Sequence, residues 1–147
     1  MSSIDRADPV IMGHILAQHR ELHERLVALR ACLAGPGSCV EPLREALRSL
    51  RDHLRGHFQQ EERGGFLEES IARMPRLSAA AREVMAEHPG LLAELDDLIA
   101  TLEKVDSAAS WDRIVAAAER FAQHLLEHER NENAVVQEGY NEDLGLD

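Results

Sequence analysis

The chain has 147 residues, a length typical of one domain, and we expect a single domain over residues 1–147. Hydrophobic residues make up 44% of it but aromatic residues only 3%, a composition that favours helices rich in Leu and Ala over a β-sandwich. The net charge of −11 argues against nucleic acid and membrane partners, and without a signal peptide or an apolar run of roughly 20 residues we expect a soluble, cytoplasmic protein.

Proline and glycine residues mark the ends of the first two helices. Asp8 and Pro9 form a good helix start, and a Gly-Pro-Gly run stops that helix, so the first helix is predicted over about 9–34. Pro42 repeats the first-turn signal, and a Gly-Gly pair follows some twenty residues later. The second helix is therefore predicted over about 42–63.

Serine residues mark the starts of the next two helices. Ser78 is expected to cap a third helix over about 78–104, and Ser110 is expected to cap a fourth over about 111–138. Pro89 falls inside the third helix, where it removes a backbone donor and disfavours the α conformation of the residue before it. We therefore expect the third helix to kink or restart at this point.

Two cysteines, Cys32 and Cys39, lie on either side of the Gly-Pro-Gly run. A disulfide that closes the loop, or a redox pair, is conceivable at this spacing. Free thiols in a reducing compartment are the favoured interpretation, because a protein without a secretory signal rarely keeps a structural disulfide. Both residues are left out of the candidate site.

Each predicted helix carries an apolar stripe that is interrupted by side chains of the metal-binding type. The stripes advance in alternating steps of three and four residues, which keeps their members on one helical face. The first and third stripes contain one histidine near their start, whereas the second and fourth end in a histidine and a glutamate four residues later. The interruptions are His19, His57, Glu61, His88, His128 and Glu132.

The order of these interruptions predicts how the helices are arranged. In an all-α, antiparallel up-down-up-down four-helix bundle, early positions of two helices lie level with late positions of the other two. The four histidines and two glutamates would then meet near one end of the bundle. Imidazoles and carboxylates in a core are costly unless a bound metal compensates them, so the pattern predicts a metal site.

The ligand types narrow the choice of metal. Two carboxylates and four imidazoles on facing helices are typical of a carboxylate-bridged pair of iron or manganese ions. Zinc is less suited, because a structural zinc site takes four ligands and usually includes thiolates. We therefore expect two iron ions as the cofactor, with manganese and zinc as the weaker alternatives.

The sequence also contains a weak internal repeat. AQHRELHERLVAL around His19 resembles AEHPGLLAELDDL around His88, and HLRGHFQQEE around His57 resembles HLLEHERNEN around His128. The domain therefore looks like two related helical hairpins. Each hairpin supplies one lone histidine and one pair of the form His-x-x-x-Glu.

These motifs resemble the hemerythrin-like (HHE cation-binding) family over nearly the whole chain. The resemblance is carried by the early histidine of the first helix, by HFQQEE and EHPGLL in the next two, and by HERNEN in the fourth. It implies a four-helix bundle with a non-haem diiron centre, bridged by two carboxylates and an oxo or hydroxo group. By motif match, the same six residues are the ligands, and the implied partner is a small diatomic molecule or peroxide.

The chain departs from the oxygen-carrying hemerythrins at two positions. Those proteins have a second histidine one turn before the matched residue of the third helix, where this chain has Val84. They also use His-x-x-x-x-Asp in the fourth helix, where this chain has Glu132 followed by Asn133. Four imidazoles, two bridging carboxylates and one oxygen bridge leave one position open on each iron. This puts a pure oxygen-carrier role in doubt.

Three further histidines, His23, His53 and His124, each lie one turn from a matched ligand. They are predicted to share one level of the bundle, one turn toward its apolar end. They could be alternative ligands, a hydrogen-bond network behind the ligands, a proton relay, or separate and partly exposed residues. His14 is off the stripe and is expected on the surface.

Three functions compete on the sequence alone. The leading hypothesis is a diiron-binding protein that engages oxygen, peroxide or nitric oxide as a sensor, scavenger or carrier. The alternatives are an enzyme that turns over peroxide or nitric oxide, and a protein that handles or delivers iron. No catalytic residue and no protein partner is assigned. We expect neither a fused signalling domain nor the cysteine-bearing N-terminal extension of hemerythrin-like proteins that repair iron–sulfur clusters.

Overall fold

The computed structural model describes residues 9–35, 40–63 and 77–143. Within these ranges the side chains of residues 9–16, 136 and 139–143 are not described. The described chain is all-helical, as predicted, and contains no strand. Its helices are α1 (Pro9–Leu33), α2 (Val40–Glu62), α3 (Ser78–Ala86), α4 (His88–Leu102) and α5 (Ala108–Asp143). Asp8 and Cys39 lie outside the described residues, and Cys32 is a half-buried free thiol beside the core.

The predicted third helix is divided into α3 and α4 at Glu87, directly before His88. Pro89 lies in the first turn of α4, where its missing N–H group removes no helical hydrogen bond. At the break, the Glu87 N–H donates to the carbonyl of Val84 at the end of α3. The Glu87 carbonyl accepts from the Leu91 N–H in the first turn of α4. The expected restart is therefore confirmed.

Helix α5 begins earlier than expected because Ser107, and not Ser110, is its N-cap. The Ser110 N–H donates to Ser107 Oγ at 3.1 Å, while Ser110 Oγ accepts from the Ser107 N–H at 3.0 Å. This reciprocal pair satisfies two backbone donors that the helix leaves without partners. The helix also continues beyond its predicted end at 138, since a glycine inside a helix costs only about 1 kcal/mol and does not by itself stop it.

Helix α3 also differs from the prediction at its start. The sequence predicts Ser78 as the capping residue before this helix, but Ser78 is the first residue of α3, and Leu77 occupies the capping position without a side-chain hydrogen bond. Helix α2 likewise begins at Val40, two residues before the predicted start, so Pro42 lies within its first turn. A proline is tolerated there because the first N–H groups of a helix have no partner within it.

The apolar stripes predicted from the sequence form the core. Wherever their side chains are described, the stripe positions of all helices are buried, except His19, which is half-buried. The core consists mainly of leucines from α1, α2 and α4 together with the apolar residues of α5, namely Leu22, Leu26, Leu29, Leu33, Leu43, Leu47, Leu50, Leu54, Leu91, Leu95, Leu98, Leu102, Ile114, Ala118, Phe121 and Leu125. The polar interruptions of the stripes lie at one end of this core.

Side-chain pairs join each helix to its neighbours at several heights. Between two helices, the paired residue numbers rise in one helix as they fall in the other. The pairs are Gln18–His57, Glu21–His53 and Arg25–Ser49 for α1 and α2; Arg55–Asp96 and Arg44–Glu103 for α2 and α4; Glu87–His128 and Glu94–His124 for the third helix and α5; and His19–Glu132 and Arg30–Glu119 for α1 and α5.

Candidate metal centre

The six predicted site residues come together at the polar end of the core. Their possible ligand atoms form two groups within which all atoms lie within 4.8 Å of one another. One group contains Glu61, His88, His128 and Glu132, and the other contains His19, His57 and Glu132. Each group could hold a cation, and Glu132 belongs to both.

The four histidines turn their Nε2 atoms toward the two carboxylates. His19 Nε2 lies 2.9 Å from Glu132 Oε1, and His128 Nε2 lies 3.3 Å from Glu132 Oε2. His57 Nε2 is 3.2 Å and His88 Nε2 is 3.6 Å from Glu61 Oε1. The donor atoms of imidazoles and carboxylates therefore face a common centre.

The other ring nitrogen of three histidines faces a hydrogen-bond acceptor on a neighbouring element. His128 Nδ1 donates to Glu87 at 2.8 Å, and His88 Nδ1 donates to Glu62 at 3.1 Å. His57 Nδ1 donates to the amide oxygen of Gln18 at 2.5 Å. An acceptor at Nδ1 fixes the tautomer that leaves a lone pair on Nε2, which is how metal-binding histidines are usually oriented.

Several of the inward-facing atoms have no hydrogen-bond partner within the described part of the chain. They include both oxygens of Glu61, Oε2 of Glu132, and the Nε2 atoms of His88 and His128. Buried polar atoms without partners are costly, and a cation coordinated by them removes that cost. The donor set of imidazole nitrogens and carboxylate oxygens fits iron.

A family model described as the hemerythrin HHE cation-binding domain matches residues 10–140. The chain belongs to this family. The resemblance drawn from the sequence motifs is thereby confirmed, and cation binding is the property that the family description carries. Comparisons with curated proteins and with solved structures found no match. Within the described ranges, no helix of this hemerythrin-family protein is long and apolar enough to cross a membrane.

The two carboxyl groups of the hemerythrin centre differ strongly in proton affinity. Burial, together with the neighbouring Glu132, raises the pKa of Glu61 to about 11. Burial also acts to raise the pKa of Glu132, but the neighbouring imidazoles of His128 and His19 favour its charged form, outweigh burial and place that pKa below its ordinary value. Without a cation, the pair therefore holds one proton, because two adjacent buried carboxylates repel each other.

The pKa values of two histidines reflect the negative charge of Glu132. Burial lowers the pKa of His19 and of His128, but the nearby carboxylate of Glu132 outweighs burial and raises both. The pKa of His88 is lowered, because burial dominates there over its hydrogen bond to Glu62. Glu132 thus attracts positive charge to the imidazoles of His19 and His128.

Phe58 forms an apolar wall on one side of the centre. Its ring lies parallel to that of His88, with centroids 3.8 Å apart, and meets the ring of His128 edge-on at 5.4 Å. Phe58 is 2% exposed, so it keeps water away from the imidazoles of this side. Val84, one turn before His88, is also buried.

The three additional histidines do not share one environment. His53 lies beside His57, with parallel rings 6.3 Å apart, and its Nδ1 is 3.6 Å from Glu21. His124 is exposed and pairs with Glu94 at 2.9 Å. His23 is exposed on α1, and none of the three belongs to either ligand group. The side chain of His14 is among those that the structure does not describe.

The sequence pattern does not reveal five residues around the centre, because none of them is one of the polar residues that interrupt an apolar stripe. Four of them orient or cover the imidazoles, and the fifth is a half-buried carboxylate one residue after His128. They are Gln18, Phe58, Glu62, Glu87 and Glu129. The Phe58 and Glu129 positions could have been found in the internal repeat, where each follows the histidine of a His-x-x-x-Glu pair.

Proposed function

We propose that the helices form an antiparallel up-down-up-down bundle around a diiron centre. The direction of the helices is supported by the side-chain pairs, whose numbers run in opposite order between α1 and α2, between α2 and α4, between the segment from Glu87 to Glu94 and α5, and between α5 and α1. Short connections between such neighbours are typical of this topology. In that arrangement, the polar ends of all four stripes meet at one height.

The proposed ligands are His19, His57, Glu61, His88, His128 and Glu132, with the two glutamates between the ions. One observation carries this assignment: four Nε2 atoms face two buried carboxylates, while Nδ1 of His57, of His88 and of His128 is held by an acceptor behind it. This is the geometry by which proteins prepare imidazole for metal binding. Iron suits this mixture of nitrogen and oxygen donors.

The function that this site supports best is the binding of oxygen, peroxide or nitric oxide, either reversibly or followed by reaction. A pair of iron ions supplies electrons and Lewis acidity to such a molecule when it binds. The residues of the chain orient the imidazoles, hold two carboxylates between the ions, and exclude water from the Phe58 side. A surface cleft of about 390 Å³ between α4 and α5 is lined by His128, and we propose it as the place where a small molecule approaches the protein.

The protein purified after iron-replete expression tests the proposal. We expect two iron ions per chain and an ultraviolet absorption typical of an oxygen-bridged ferric pair. We also expect spectral changes on addition of hydrogen peroxide, of nitric oxide to the reduced protein, or of oxygen to the reduced protein. One zinc ion per chain, with no iron, would contradict the proposal.

The same samples separate the alternative functions. Rapid multiple turnover of peroxide or nitric oxide favours an enzyme, and easy loss of iron to a mild chelator favours iron delivery. A reversible spectral change without turnover and with tightly held iron favours a sensor or carrier.

A further inference from the structure

The two halves of the centre differ at one position of the internal repeat. Aligning the His-x-x-x-Glu pairs places Phe58, which follows His57, opposite Glu129, which follows His128. The two hairpins therefore present a phenyl ring in one case and a carboxylate in the other. On a helix, each of these residues is rotated by about 100° from the histidine before it. Phe58 and Glu129 therefore lie on the same side of their own His-x-x-x-Glu pairs.

The contacts of Phe58 show which group this position faces. Phe58 stacks on His88, the lone histidine of the other hairpin. By the repeat, Glu129 should face His19, which is the lone histidine of the first hairpin. The charge of Glu129 does act on His19, and also on His57. The repeat therefore predicts that Glu129 lies on the His19 side of the centre, and this charge interaction agrees with it.

Glu129 has an oxygen that no protein group satisfies in the described part of the chain. Its Oε1 atom is buried and makes no hydrogen bond. The side chain is not part of either ligand group, but the group on its own side has only His19, His57 and Glu132, whereas the other has four members. A carboxylate with a buried, unpartnered oxygen thus lies near the smaller of the two ligand groups.

We propose that Glu129 is a further ligand of the ion on the His19 side, which it reaches by rotation of its flexible side chain. This inference rests on the proposed diiron centre and deepens it. A carboxylate oxygen is a hard donor of the kind that iron accepts readily. At the equivalent position on the other side, the Phe58 ring has no donor atom.

The consequence is a functional asymmetry between the two ions. With Glu129 bound, the ion on the His19 side has no position left for a small molecule. An ion held by His88 and His128 would keep the open position that the ligand count leaves, on the side where Phe58 packs. Oxygen, peroxide or nitric oxide would therefore bind on the His88 side alone.

The affinity of each site for iron tests the role of Glu129. Ferrous iron is added without oxygen to the full-length protein in competition with a coloured chelator, so that two binding constants are measured. We expect Glu129→Gln to weaken one of them by at least about tenfold while the other changes by less than about twofold. Glu119→Gln is the matched control, since it removes the same charge from the same face between α1 and α5.

Two further measurements separate ligation from a structural effect. In Mössbauer spectra of protein loaded with iron-57, Glu129→Gln should move the signal of only one iron. In Glu129→Ala, added acetate should restore the weakened constant, whereas chloride at equal ionic strength should not. Circular dichroism checks that each variant is folded.

The outcomes distinguish this inference from the proposed function. Two irons in the wild type, with constants and spectra of Glu129→Gln equal to those of Glu119→Gln, would overturn the role of Glu129 alone. A wild-type chain that binds only one ion would overturn both the diiron centre and this inference.

Discussion

The ring of Phe58 lies flat against the imidazole of His88, with the two planes within 4° of parallel. The stacked contact fixes the ring plane of His88, while the hydrogen bond from its Nδ1 to Glu62 fixes the rotation within that plane. Together they aim Nε2 at the centre before any ion binds. A preorganised ligand loses less side-chain entropy when it coordinates a metal.

We expect Phe58→Leu to lower the free energy of unfolding by about 1 to 3 kcal/mol and also to speed the loss of metal. The first effect comes from lost packing, and the second comes from a less restrained His88. Thermal melting and the rate of iron transfer to a chelator measure the two. Phe121→Leu is the matched control, since Phe121 is equally buried in the apolar core but touches no site residue in the ring contacts described. Equal metal-loss rates for the two variants would contradict an orienting role of Phe58.

Glu87 is expected to strengthen metal binding without touching the metal, because it accepts the Nδ1 proton of His128. Removing this acceptor frees the ring to rotate and makes Nε2 less basic. We expect Glu87→Ala to weaken iron binding by about 10- to 100-fold. Glu83→Ala, which removes an exposed carboxylate one turn earlier on α3, serves as the control. Iron affinities that match in the two variants would exclude this contribution.

Removal of the metal should lower the melting temperature. A ligand that binds only the folded protein stabilises it by about 2.7 kcal/mol when its free concentration is 100 times its Kd. In addition, Glu61 and Glu132 lose the positive charge between them. Calorimetry of the protein with and without a strong chelator measures the difference. Equal melting temperatures would show that the carboxyl groups need no cation for stability.

The stability of the chelated protein should also fall as the pH rises. The pKa of Glu61 in the folded protein is about 11, far above its ordinary value, so the folded chain binds a proton that the unfolded chain has released. Between those two pKa values, each increase in pH therefore favours the unfolded chain. We expect metal-free wild type to lose stability relative to metal-free Glu61→Gln between about pH 6 and about pH 9. A constant difference between the two across this range would contradict the raised pKa.

Val84 is expected to keep a position open near His88. It is buried one turn before His88, on α3, where the oxygen carriers have a further histidine. If the iron on this side has an open position, Val84→His should partly close it, shift the iron spectrum and slow the reaction with hydrogen peroxide. Val84→Leu is the control for altered packing. An unchanged spectrum and unchanged peroxide kinetics would mean that the break at Glu87 turns residue 84 away from the ion.

The sequence by itself determined the helical class, the buried stripes and the position of the six polar interruptions. This follows because burial on one face imposes a period on the chain, and a costly side chain such as Glu61 or Glu132 at a buried position stands out against that period. The restart before His88 was equally accessible, since Pro89 acts through local backbone geometry. The helix starts were less accurate, because Ser107 and Ser110 are both good caps and only their mutual hydrogen bonds decide between them.

Only the tertiary structure decided which residues stand behind the ligands. Gln18, Glu62 and Glu87 are ordinary surface types, and they reach the imidazoles because of how each helix is rotated about its axis and how far it is shifted along its neighbours. The sequence left the environment of the histidines one turn from a ligand open, and only the contacts between helices show that His124 is exposed beside Glu94 whereas His53 packs beside His57. The period of the apolar residues shows which face of a helix is buried. Which residue each side chain contacts depends on how the helices pack against one another.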